Sequence, residues 1–470
     1  MTSSRPIAPL SHGEIPPGIF RAYDIRGIAG SDLNSQVVER IGKAVASLAL
    51  ENGEDTLLFG ADGRLSTPEL REALLRGILS TGLNVIDLGI IPTPLLYFAS
   101  FTTQWKSGLM LTASHNPADY NGIKIIRQRH CLTPEQIQEI RLRAESGHFL
   151  TGSGTLRRLA LADDYIAHLR REIRLQRPLK VVVDCASAVP ALVAPTLFRA
   201  LGCEVIPLFC ELDGHFPHHP PDPTVAANLT ALIDAVALHG ADAGIALDGD
   251  GDRVVVVTEC GTPVDTDRLL MLFIKDVLPR CPPASRVVYD VKCSTQVPRL
   301  IAALGGTPVM SRSGHSFMKQ SMQVSGAVIG AEFSAHVFIR DGWFGYDDGL
   351  YVAARFLELL ARSESSAEAL LAALPPSVAT PELRIAVSDE RKFDLMARII
   401  AHAHFPEASV NVLDGLRVDF ADGWGLIRAS NTTPALLLRF EACTHTALGA
   451  IQGAFRDLLR QVDAQLQLDF

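Results

Sequence analysis

The sequence of 470 residues lacks an apolar run long enough to cross a bilayer, and its first residues lack the charged-then-apolar pattern of a secretory signal. It also lacks a basic tail or stripe, because 43 Lys and Arg residues against 52 Asp and Glu residues give a net charge of −9. These absences argue against a membrane protein and against a general nucleic-acid-binding protein. We therefore expect a cytoplasmic protein, in which a local cluster of positive residues could still hold a small anion.

No Cys-x-x-Cys pair occurs among the 8 cysteines. Several cysteines lie in apolar, strand-like surroundings, such as Cys185 after Val181–Val183. This pattern favours reduced, buried thiols over disulfides or a zinc site.

Short apolar runs that end at a carboxylate recur along the chain, before Asp62, Asp184, Asp248 and Asp290. A loop and a helix-like stretch follow such a run, as in the amphipathic segment Thr67–Leu79. This alternation predicts α/β domains, whose ligands gather beyond the carboxyl ends of the strands. The chain is too long for one hydrophobic core, so several domains are expected.

Segments rich in Gly, Ser and Pro suggest the domain boundaries: Thr151–Thr155, Cys260–Pro263 and Pro375–Pro381. We predict three similar α/β domains, at residues 1–154, 155–258 and 259–374. A smaller C-terminal α+β domain would then cover residues 375–470.

Two helices are marked by local signals. Thr133-Pro134-Glu135-Gln136 has the N-cap threonine, the N1 proline and the N3 glutamine of a capping box. A long helical pattern runs from Leu350 to Leu374.

A polar loop with a serine follows the apolar run Gly108–Leu111. Ser114 is not part of a Gly-x-Ser-x-Gly elbow, which argues against a serine hydrolase. His115 is its chain neighbour, and adjacent residues rarely have the geometry of a nucleophile and its base. Taken alone, the segment also fits a surface loop.

The segment from Asp248 to Arg253 places three aspartates at alternate positions, separated by glycine. Three converging carboxylates suit a divalent cation, and ligation by oxygen alone favours Mg²⁺ over zinc. An EF-hand is disfavoured because Arg253 occupies the place where its loop needs glycine, and because the flanking segments are strand-like. A solvated acidic turn is a weaker alternative, since unpaired carboxylates this close repel each other.

Arginine followed by hydroxyl and amide side chains occurs at Ser311–Ser316 and at Arg428–Thr433. Such a set offers many donors and a fixed positive charge, which suits a phosphate. A satisfied turn rich in Ser and Thr explains these segments equally well. The histidines within Asp213–Pro223 favour a rigid, proline-rich connecting loop over a metal site.

Together these segments resemble the α-D-phosphohexomutase superfamily, and in particular its bacterial phosphomannomutase/phosphoglucomutase group. The resemblance spans nearly the whole chain in family order, and it is carried by Phe20–Gly27, Thr112–Lys124, Asp248–Arg253, Gly314–Ser316, Glu332–His336 and Arg428–Thr433. Trp343–Gly349 also resembles the segment that follows the family's sugar loop. The resemblance implies mixed sheets in the α/β domains and four domains arranged around a central active-site cleft.

The resemblance also implies roles for single residues. Ser114 matches the family's phosphoserine, which would complete the metal site of Asp248, Asp250 and Asp252. The implied catalytic residues are Ser114, Lys124, His315, Arg253, His115 and Arg26, with Lys124 and His315 as alternatives for proton transfer. The implied substrate-binding residues are Tyr23, the sugar-loop residues Glu332, Ser334 and His336, and the phosphate clamp Arg428, Ser430, Asn431 and Thr432. Ala113 and Ala335 depart from the family pattern, which often has glycine at these positions.

The activity implied is reversible interconversion of hexose 1-phosphates and hexose 6-phosphates, of both glucose and mannose, through a hexose 1,6-bisphosphate. One Mg²⁺ per chain, glucose 1,6-bisphosphate as activator, phosphosugars as partners and a monomeric chain are expected with it. A phosphoglucosamine mutase is the alternative within the superfamily. A metal-dependent sugar-phosphate phosphatase and a non-catalytic sugar-phosphate-binding protein are the alternatives outside it.

Overall fold

A computed structural model of the chain describes residues 15–430, 433–468 and 470. The described residues divide into two compact units. Unit 1 comprises those of Met1–Arg174, Val182–Thr230 and Ala246–Asp252, and unit 2 those of Leu175–Val181, Ala231–Ile245 and Arg253–Phe470. Four β-sheets follow one another along the sequence.

The first sheet has seven strands in the order β1-β5-β4-β2-β3-β7, with β6 paired to β5. Its strands are β1 (Ile25–Ile28), β2 (Thr56–Ala61), β3 (Asn84–Ile90), β4 (Gly108–Leu111), β5 (Tyr120–Arg127), β6 (His130–Cys131) and β7 (Leu156–Arg158). The helices of this region are α1 (Ser35–Glu51), α2 (Thr67–Leu79), α3 (Thr93–Thr102), α4 (Pro134–Ser146) and α5 (Ala162–Glu172), after a short 3₁₀ turn at Pro17–Ile19. Strand β2 pairs in parallel with β3 and β4, whereas β5 pairs antiparallel with β1 and β4, so the sheet is mixed.

The second sheet has five strands in the order β12-β11-β10-β8-β9. Its elements are β8 (Lys180–Asp184), α6 (Ala194–Ala200), β9 (Glu204–Leu208), α7 (Thr230–His239), β10 (Ala243–Leu247), β11 (Val254–Thr258) and β12 (Pro263–Val264), with 3₁₀ turns at Val189–Leu192 and Ala226–Leu229.

The third sheet has four strands in the order β14-β13-β15-β16, parallel except for the last pair. Its elements are α8 (Thr266–Val277), a 3₁₀ turn (Leu278–Arg280), β13 (Arg286–Asp290), α9 (Gln296–Ala303), β14 (Thr307–Ser311), α10 (His315–Ser325), β15 (Ile329–Glu332), β16 (His336–Ile339), α11 (Gly349–Arg362) and α12 (Ala367–Ala372).

The fourth sheet is antiparallel, in the order β17-β22-β21-β20-β19 with β18 paired to β22. Its elements are β17 (Val378–Ala379), β18 (Leu383–Ala386), α13 (Asp389–His402), β19 (Ser409–Asn411), β20 (Leu416–Phe420), β21 (Gly423–Ala429), β22 (Ala435–Ala442) and α14 (His445–Val462). The predicted class, α/β domains with mixed sheets followed by an α+β domain, is confirmed.

Most of the local predictions are confirmed. Helix α2 spans the predicted Thr67–Leu79, and α4 begins with a complete capping box at Thr133. The prediction of one helix over Leu350–Leu374 is wrong: α11 ends at Arg362, and α12 begins after Ser366, whose hydroxyl accepts a hydrogen bond from Ala369 N. Serine at an N-cap favours such a restart, because its side chain satisfies a backbone N–H that the new helix leaves unpaired.

The prediction that the cysteines are buried holds only in part. All eight cysteines lie in the described residues and are free thiols. Cys185, Cys203 and Cys293 are buried, whereas Cys260 and Cys443 are exposed. Within the part of the chain that the structure describes, no helix combines the length and apolarity needed to cross a membrane.

Candidate active site

The serine loop, residues 112–119, connects β4 to β5 in unit 1. Ser114 is buried and has φ = +50°, a left-handed conformation that is unfavourable for a residue with a side chain. Its backbone N–H donates to Thr112 Oγ1 at 2.9 Å, and its hydroxyl donates to Asp248 Oδ2 at 2.7 Å. Ser114 Oγ also lies 3.2 Å from His115 Nδ1. The turn therefore directs the hydroxyl at a carboxylate 134 residues away in the sequence.

Arg64, in the loop after β2, holds the main chain of the serine loop through its side chain. Its buried guanidinium donates at 2.5–3.0 Å to four carbonyl oxygens, those of Ser114, Asn116, Pro117 and Tyr120. Its Nε donates to Asp62 Oδ2 at 3.1 Å. Burial lowers the pKa of Arg64 and Asp62 opposes that shift, but arginine remains charged in proteins. One buried cation thus fixes the path of the whole loop.

The aspartate loop, residues 248–252, follows β10 and brings together the three carboxylates of Asp248, Asp250 and Asp252. All three residues are buried, and one oxygen from each lies within 4.8 Å of the others. Asp250 Oδ2 accepts a hydrogen bond from Thr93 Oγ1 at 2.5 Å, whereas Asp250 Oδ1 has no hydrogen-bond partner among the described residues. An unsatisfied buried oxygen among converging carboxylates is what a cation site of hard oxygen ligands requires.

Lys124, on β5, contributes positive charge to the same cluster. Its Nζ lies 2.6 Å from Asp250 Oδ2 and 2.5 Å from Asp252 Oδ2. Burial alone would lower the pKa of Lys124, but the three aspartates outweigh it and raise that pKa. The ammonium group is therefore charged at neutral pH in this arrangement.

Gly249 allows the serine loop and the aspartate loop to touch. A Cβ atom at this position would lie 2.1 Å from the carbonyl oxygen of Ser114, well inside van der Waals contact. Gly249 N also donates to Pro221 O at 3.1 Å. Only glycine permits this approach, which keeps the Ser114 hydroxyl at the carboxylates.

Arg26, on β1, reaches the serine loop from the edge of the first sheet. Its guanidinium donates to Asn116 Oδ1 and to Asp24 Oδ2, both at 2.5 Å. His115 and Tyr23 are half-buried. Unit 1 thus gathers Arg26, His115, Ser114, Lys124 and the three aspartates within a single contact network.

In unit 2, Arg253 belongs to a chain of charged and imidazole groups. Arg253 Nε donates to His336 Nε2 at 3.1 Å, and His336 Nδ1 lies 3.2 Å from Asp347 Oδ2. The buried Asp347 also contacts Lys319 Nζ at 2.6 Å and His315 Nδ1 at 3.6 Å. Burial would raise the pKa of Asp347, but Lys319 and the two histidines hold it well below its usual range. A fixed negative charge therefore orients both imidazoles.

The glutamate loop, residues 332–336, joins β15 to β16. Glu332 is buried, and Ser313 Oγ donates to Glu332 Oε1 at 3.3 Å. Burial raises the pKa of Glu332, but His336, Lys292 and other neighbours, including the Ser334 hydroxyl, lower it overall. Ala335 has φ = +75°, which explains why glycine is usual there in the family that the sequence resembles.

Arg428, on β21, belongs to the same group of residues in unit 2 through a contact with Asp414. Its Nε donates to Asp414 Oδ2 at 3.1 Å, and the same oxygen accepts the backbone N–H of Ser313 at 3.0 Å. Ser430 is buried and accepts hydrogen bonds from both the N–H and the hydroxyl of Thr433. Asn431 and Thr432 lie outside the described residues. Asp414 thus links the predicted phosphate clamp to the third sheet.

Several residues of these networks are missing from the sequence-based site, among them Arg64, Thr93, Asp347 and Asp414. Asp347 lies in the segment Trp343–Gly349, which the resemblance singled out without giving a role to any of its residues. Arg64 lies beyond a strand end, but nothing in the sequence indicates which carbonyl oxygens its guanidinium contacts.

Comparison with known proteins identifies the family of the chain. Four family descriptions of phosphoglucomutase/phosphomannomutase match in order: the alpha/beta/alpha domains I, II and III at residues 17–150, 163–261 and 265–378, and the C-terminal domain at residues 382–458. A "Phosphomannomutase/phosphoglucomutase" of Pseudomonas aeruginosa is 47% identical over 97% of this chain and 98% of that protein. A "Phosphoglucomutase" of Neisseria meningitidis is 43% identical over 94% of this chain and 96% of that protein.

A solved structure of a phosphoglucomutase/phosphomannomutase family protein from Burkholderia thailandensis superposes with a TM-score of 0.93 at 42% identity. The match covers 97% of this chain and 100% of that one. Four consecutive domain matches and relatives of this similarity over nearly full length place the chain in the phosphoglucomutase/phosphomannomutase family of phosphohexomutase enzymes.

Proposed function

We propose that the protein interconverts hexose 1-phosphates and hexose 6-phosphates, with Ser114 as the residue that donates and recovers the phosphoryl group. The observation that carries this proposal is the 2.7 Å hydrogen bond from the Ser114 hydroxyl to Asp248. The Arg64 side chain holds the backbone of the loop that carries Ser114. Phosphoryl transfer depends on in-line placement and charge neutralisation, so a rigidly placed hydroxyl beside charged groups suits it.

Asp248, Asp250 and Asp252 would hold one Mg²⁺ ion. The donor set is entirely oxygen, the three residues are buried, and the unpartnered Asp250 Oδ1 fits a ligand role. When bound, the ion would neutralise charge on the phosphoryl oxygens. Lys124 would supply fixed positive charge close to the same oxygens, and Arg26 would keep Asn116 and the serine loop in place. Arg253, the first residue of unit 2 after the aspartate loop, would have the catalytic role that the resemblance implies.

A second set of predicted residues, in unit 2, would bind phosphosugar. Arg428 and Ser430 would hold the phosphate that does not react, together with Asn431 and Thr432. Glu332, Ser334 and His336 would bind the sugar hydroxyls. In unit 1, Tyr23 would be a substrate-binding residue and His115 a catalytic one. An alcohol attacks poorly unless it is deprotonated, and the resemblance offers Lys124 and His315 as alternatives for this step. Because the aspartates raise the pKa of Lys124 and keep it protonated, His315 is the candidate for removing the hydroxyl proton.

Glucose and mannose differ at carbon 2, so a site that binds other hydroxyls would accept both sugars. The names of the Pseudomonas aeruginosa and Neisseria meningitidis relatives support this choice of substrate class. Glucose 1,6-bisphosphate would act as activator, since it phosphorylates the serine while leaving a hexose monophosphate.

Phosphorus NMR of glucose 1-phosphate and mannose 1-phosphate, with Mg²⁺ and a trace of glucose 1,6-bisphosphate, tests the proposal. We expect conversion to the 6-phosphates without accumulation of inorganic phosphate, and loss of conversion when a chelator removes the metal. Continuous release of phosphate would instead identify a phosphatase, and binding without conversion would identify a non-catalytic protein. Glucosamine phosphates in the same panel test the alternative within the superfamily.

A further inference from the structure

Cys185 and Cys210 form a pair of thiols that the proposed reaction does not use. Cys185 follows β8 and is fully buried, whereas Cys210 follows β9 and is half-buried. Their Sγ atoms lie 3.4 Å apart although the residues are 25 positions apart in the sequence. Both residues belong to unit 1.

The backbone hydrogen bonds around the pair bring the two cysteine-bearing segments together. Cys185 N donates to Leu208 O at 3.3 Å, and Ser187 N donates to Phe209 O at 2.8 Å, so the two strand ends lie side by side. A disulfide needs sulfurs about 2.05 Å apart, so closure requires an approach of about 1.4 Å. Ala186, Ser187 and Phe209 all have φ near +50°, so this region holds strained turns.

The two thiols differ in burial and in the direction in which their pKa values are shifted. The neighbouring Cys185 thiol lowers the pKa of Cys210, which is the more accessible of the two. Burial raises the pKa of Cys185. The thiolate is the form that reacts with oxidants, so Cys210 would react first and Cys185 would then resolve the product.

We propose that Cys185 and Cys210 form a peroxide-sensitive thiol pair whose closure to a disulfide slows the reaction at the aspartate loop. The Cys210 sulfur attacks one peroxide oxygen, the O–O bond breaks, and the departing hydroxide takes up a proton to form water. The Cys185 sulfur then displaces the hydroxyl of the Cys210 sulfenic acid, which leaves as a second water. The pair loses two electrons and two hydrogens, and the peroxide is reduced to two molecules of water.

The segment that begins at Cys210 connects the pair to the candidate active site. Farther along this segment, His219 Nε2 contacts Asp184 Oδ2 at 3.1 Å, and Asp184 is the chain neighbour of Cys185. Pro221 O then accepts the hydrogen bond from Gly249 N in the aspartate loop. Movement of Cys210 toward Cys185 would therefore shift a segment that contacts the backbone of the cation ligands.

Peptide mapping of the full-length protein tests the chemistry. The reduced protein is treated with hydrogen peroxide, the reaction is stopped with catalase, and free thiols are alkylated under denaturing conditions. We expect a mass loss of about 2 Da before alkylation and a linked peptide pair that contains Cys185 and Cys210, both reversed by dithiothreitol. Cys185→Ser should stop at oxygen adducts on Cys210, Cys210→Ser should show no linked peptide, and Cys443→Ser should behave as wild type.

Activity of the same samples tests the effect on the aspartate loop, and this part of the experiment rests on the proposed function. A misplacement of about 1 Å can cost up to 10²-fold, so we expect oxidised wild type to lose at least about tenfold in kcat and to recover on reduction. Cys210→Ser should keep its activity in peroxide. Oxidation confined to the exposed Cys260 and Cys443 would refute the claim that Cys185 and Cys210 are a peroxide-sensitive pair. Complete formation of the disulfide with unchanged kcat would refute the claim that the disulfide slows the reaction. Reduced wild type without mutase activity would refute the proposed function instead, while the peptide map would still decide the thiol chemistry.

Discussion

The serine loop and the glutamate loop are both short polar connections that contain a non-glycine residue at positive φ, yet they are held in different ways. The serine loop is anchored by its main chain, since Arg64 donates hydrogen bonds to three of its carbonyl oxygens and to that of Tyr120, where β5 begins. In the glutamate loop, charged side chains supply much of the anchoring, through Asp347 to His336 and through Ser313 to Glu332. A substitution in the serine loop can therefore remove a side chain without breaking the contacts that position the loop. In the glutamate loop, a substitution that changes a charged side chain also removes a contact that positions the loop.

The largest expected effect follows from the main-chain anchoring of the serine loop. Ser114→Ala removes the proposed phosphoryl acceptor but leaves every Arg64 contact in place. We expect kcat to fall on the order of 10³-fold or more, with little change in sugar-phosphate affinity or in the unfolding midpoint. Turnover assays, calorimetric binding of glucose 6-phosphate and thermal melts check this. Ser100→Ala, at another buried serine of the same domain, is the control and should retain activity. Wild-type turnover in Ser114→Ala would remove the residue from the mechanism.

Arg64→Met should release the main chain of the serine loop. The change leaves four carbonyl oxygens and the buried Asp62 without their cation, and breaking a buried ion pair costs about 3–5 kcal/mol. We expect a loss of that size in the free energy of unfolding, measured by urea titration, together with a lower kcat. Arg76→Met, an exposed arginine of α2, is the control and should leave the unfolding midpoint unchanged. Equal stability of the two variants would refute the anchoring role.

Arg428→Ala tests the side-chain contacts in unit 2. A hydrogen bond to a charged group contributes about 1.5–3 kcal/mol, so we expect KM for both phosphosugars to rise about 10- to 100-fold. The change in kcat should be smaller, because the contacted phosphate would not be the reacting one. Steady-state kinetics with glucose 1-phosphate and mannose 1-phosphate measure both parameters. Asp414→Asn keeps an oxygen that can accept the hydrogen bond of Arg428, so its KM should lie between those of Arg428→Ala and the wild type.

Ala335→Gly should have the smallest effect. Glycine relieves about 1–2 kcal/mol of left-handed strain, but it removes a buried methyl group worth about 0.8 kcal/mol and adds freedom to the unfolded chain. We expect a net change within about 1 kcal/mol in urea titration. Ala331→Gly, at a buried position of β15 without positive φ, should destabilise the protein clearly. Similar losses in both variants would argue against strain at Ala335.

Much of the fold could be predicted because its signals are local. The capping box at Thr133 and the amphipathic pattern of α2 depend on neighbours a few residues away. The sequence predicts one helix across the break between α11 and α12 because the helical apolar pattern resumes at Ala367, although the four intervening residues, Ser363–Ser366, are all polar. The aspartate loop can be predicted from the sequence for the same reason, since its three carboxylates are close in the sequence.

The remaining parts of the site depend on contacts between distant residues. Arg64 donates to carbonyl oxygens 50 or more positions away, and a carbonyl is present at every residue, so no sequence pattern indicates which ones it contacts. Asp414 reaches Ser313 across 101 positions, and the Cys185–Cys210 contact spans 25. The candidate ligands were therefore visible in the sequence, but the residues that hold them in place were not.

Gly249 also has a consequence for how the enzyme can vary. Because the Ser114 carbonyl oxygen would lie 2.1 Å from any Cβ atom there, even alanine would have to push the two loops apart. Saturation of this codon under selection for activity should return glycine alone, although a position between two aspartates would look permissive on chemical grounds. The distance between the Ser114 hydroxyl and the aspartate loop is in this sense set by a missing side chain, and drift in the surrounding sequence cannot easily widen it.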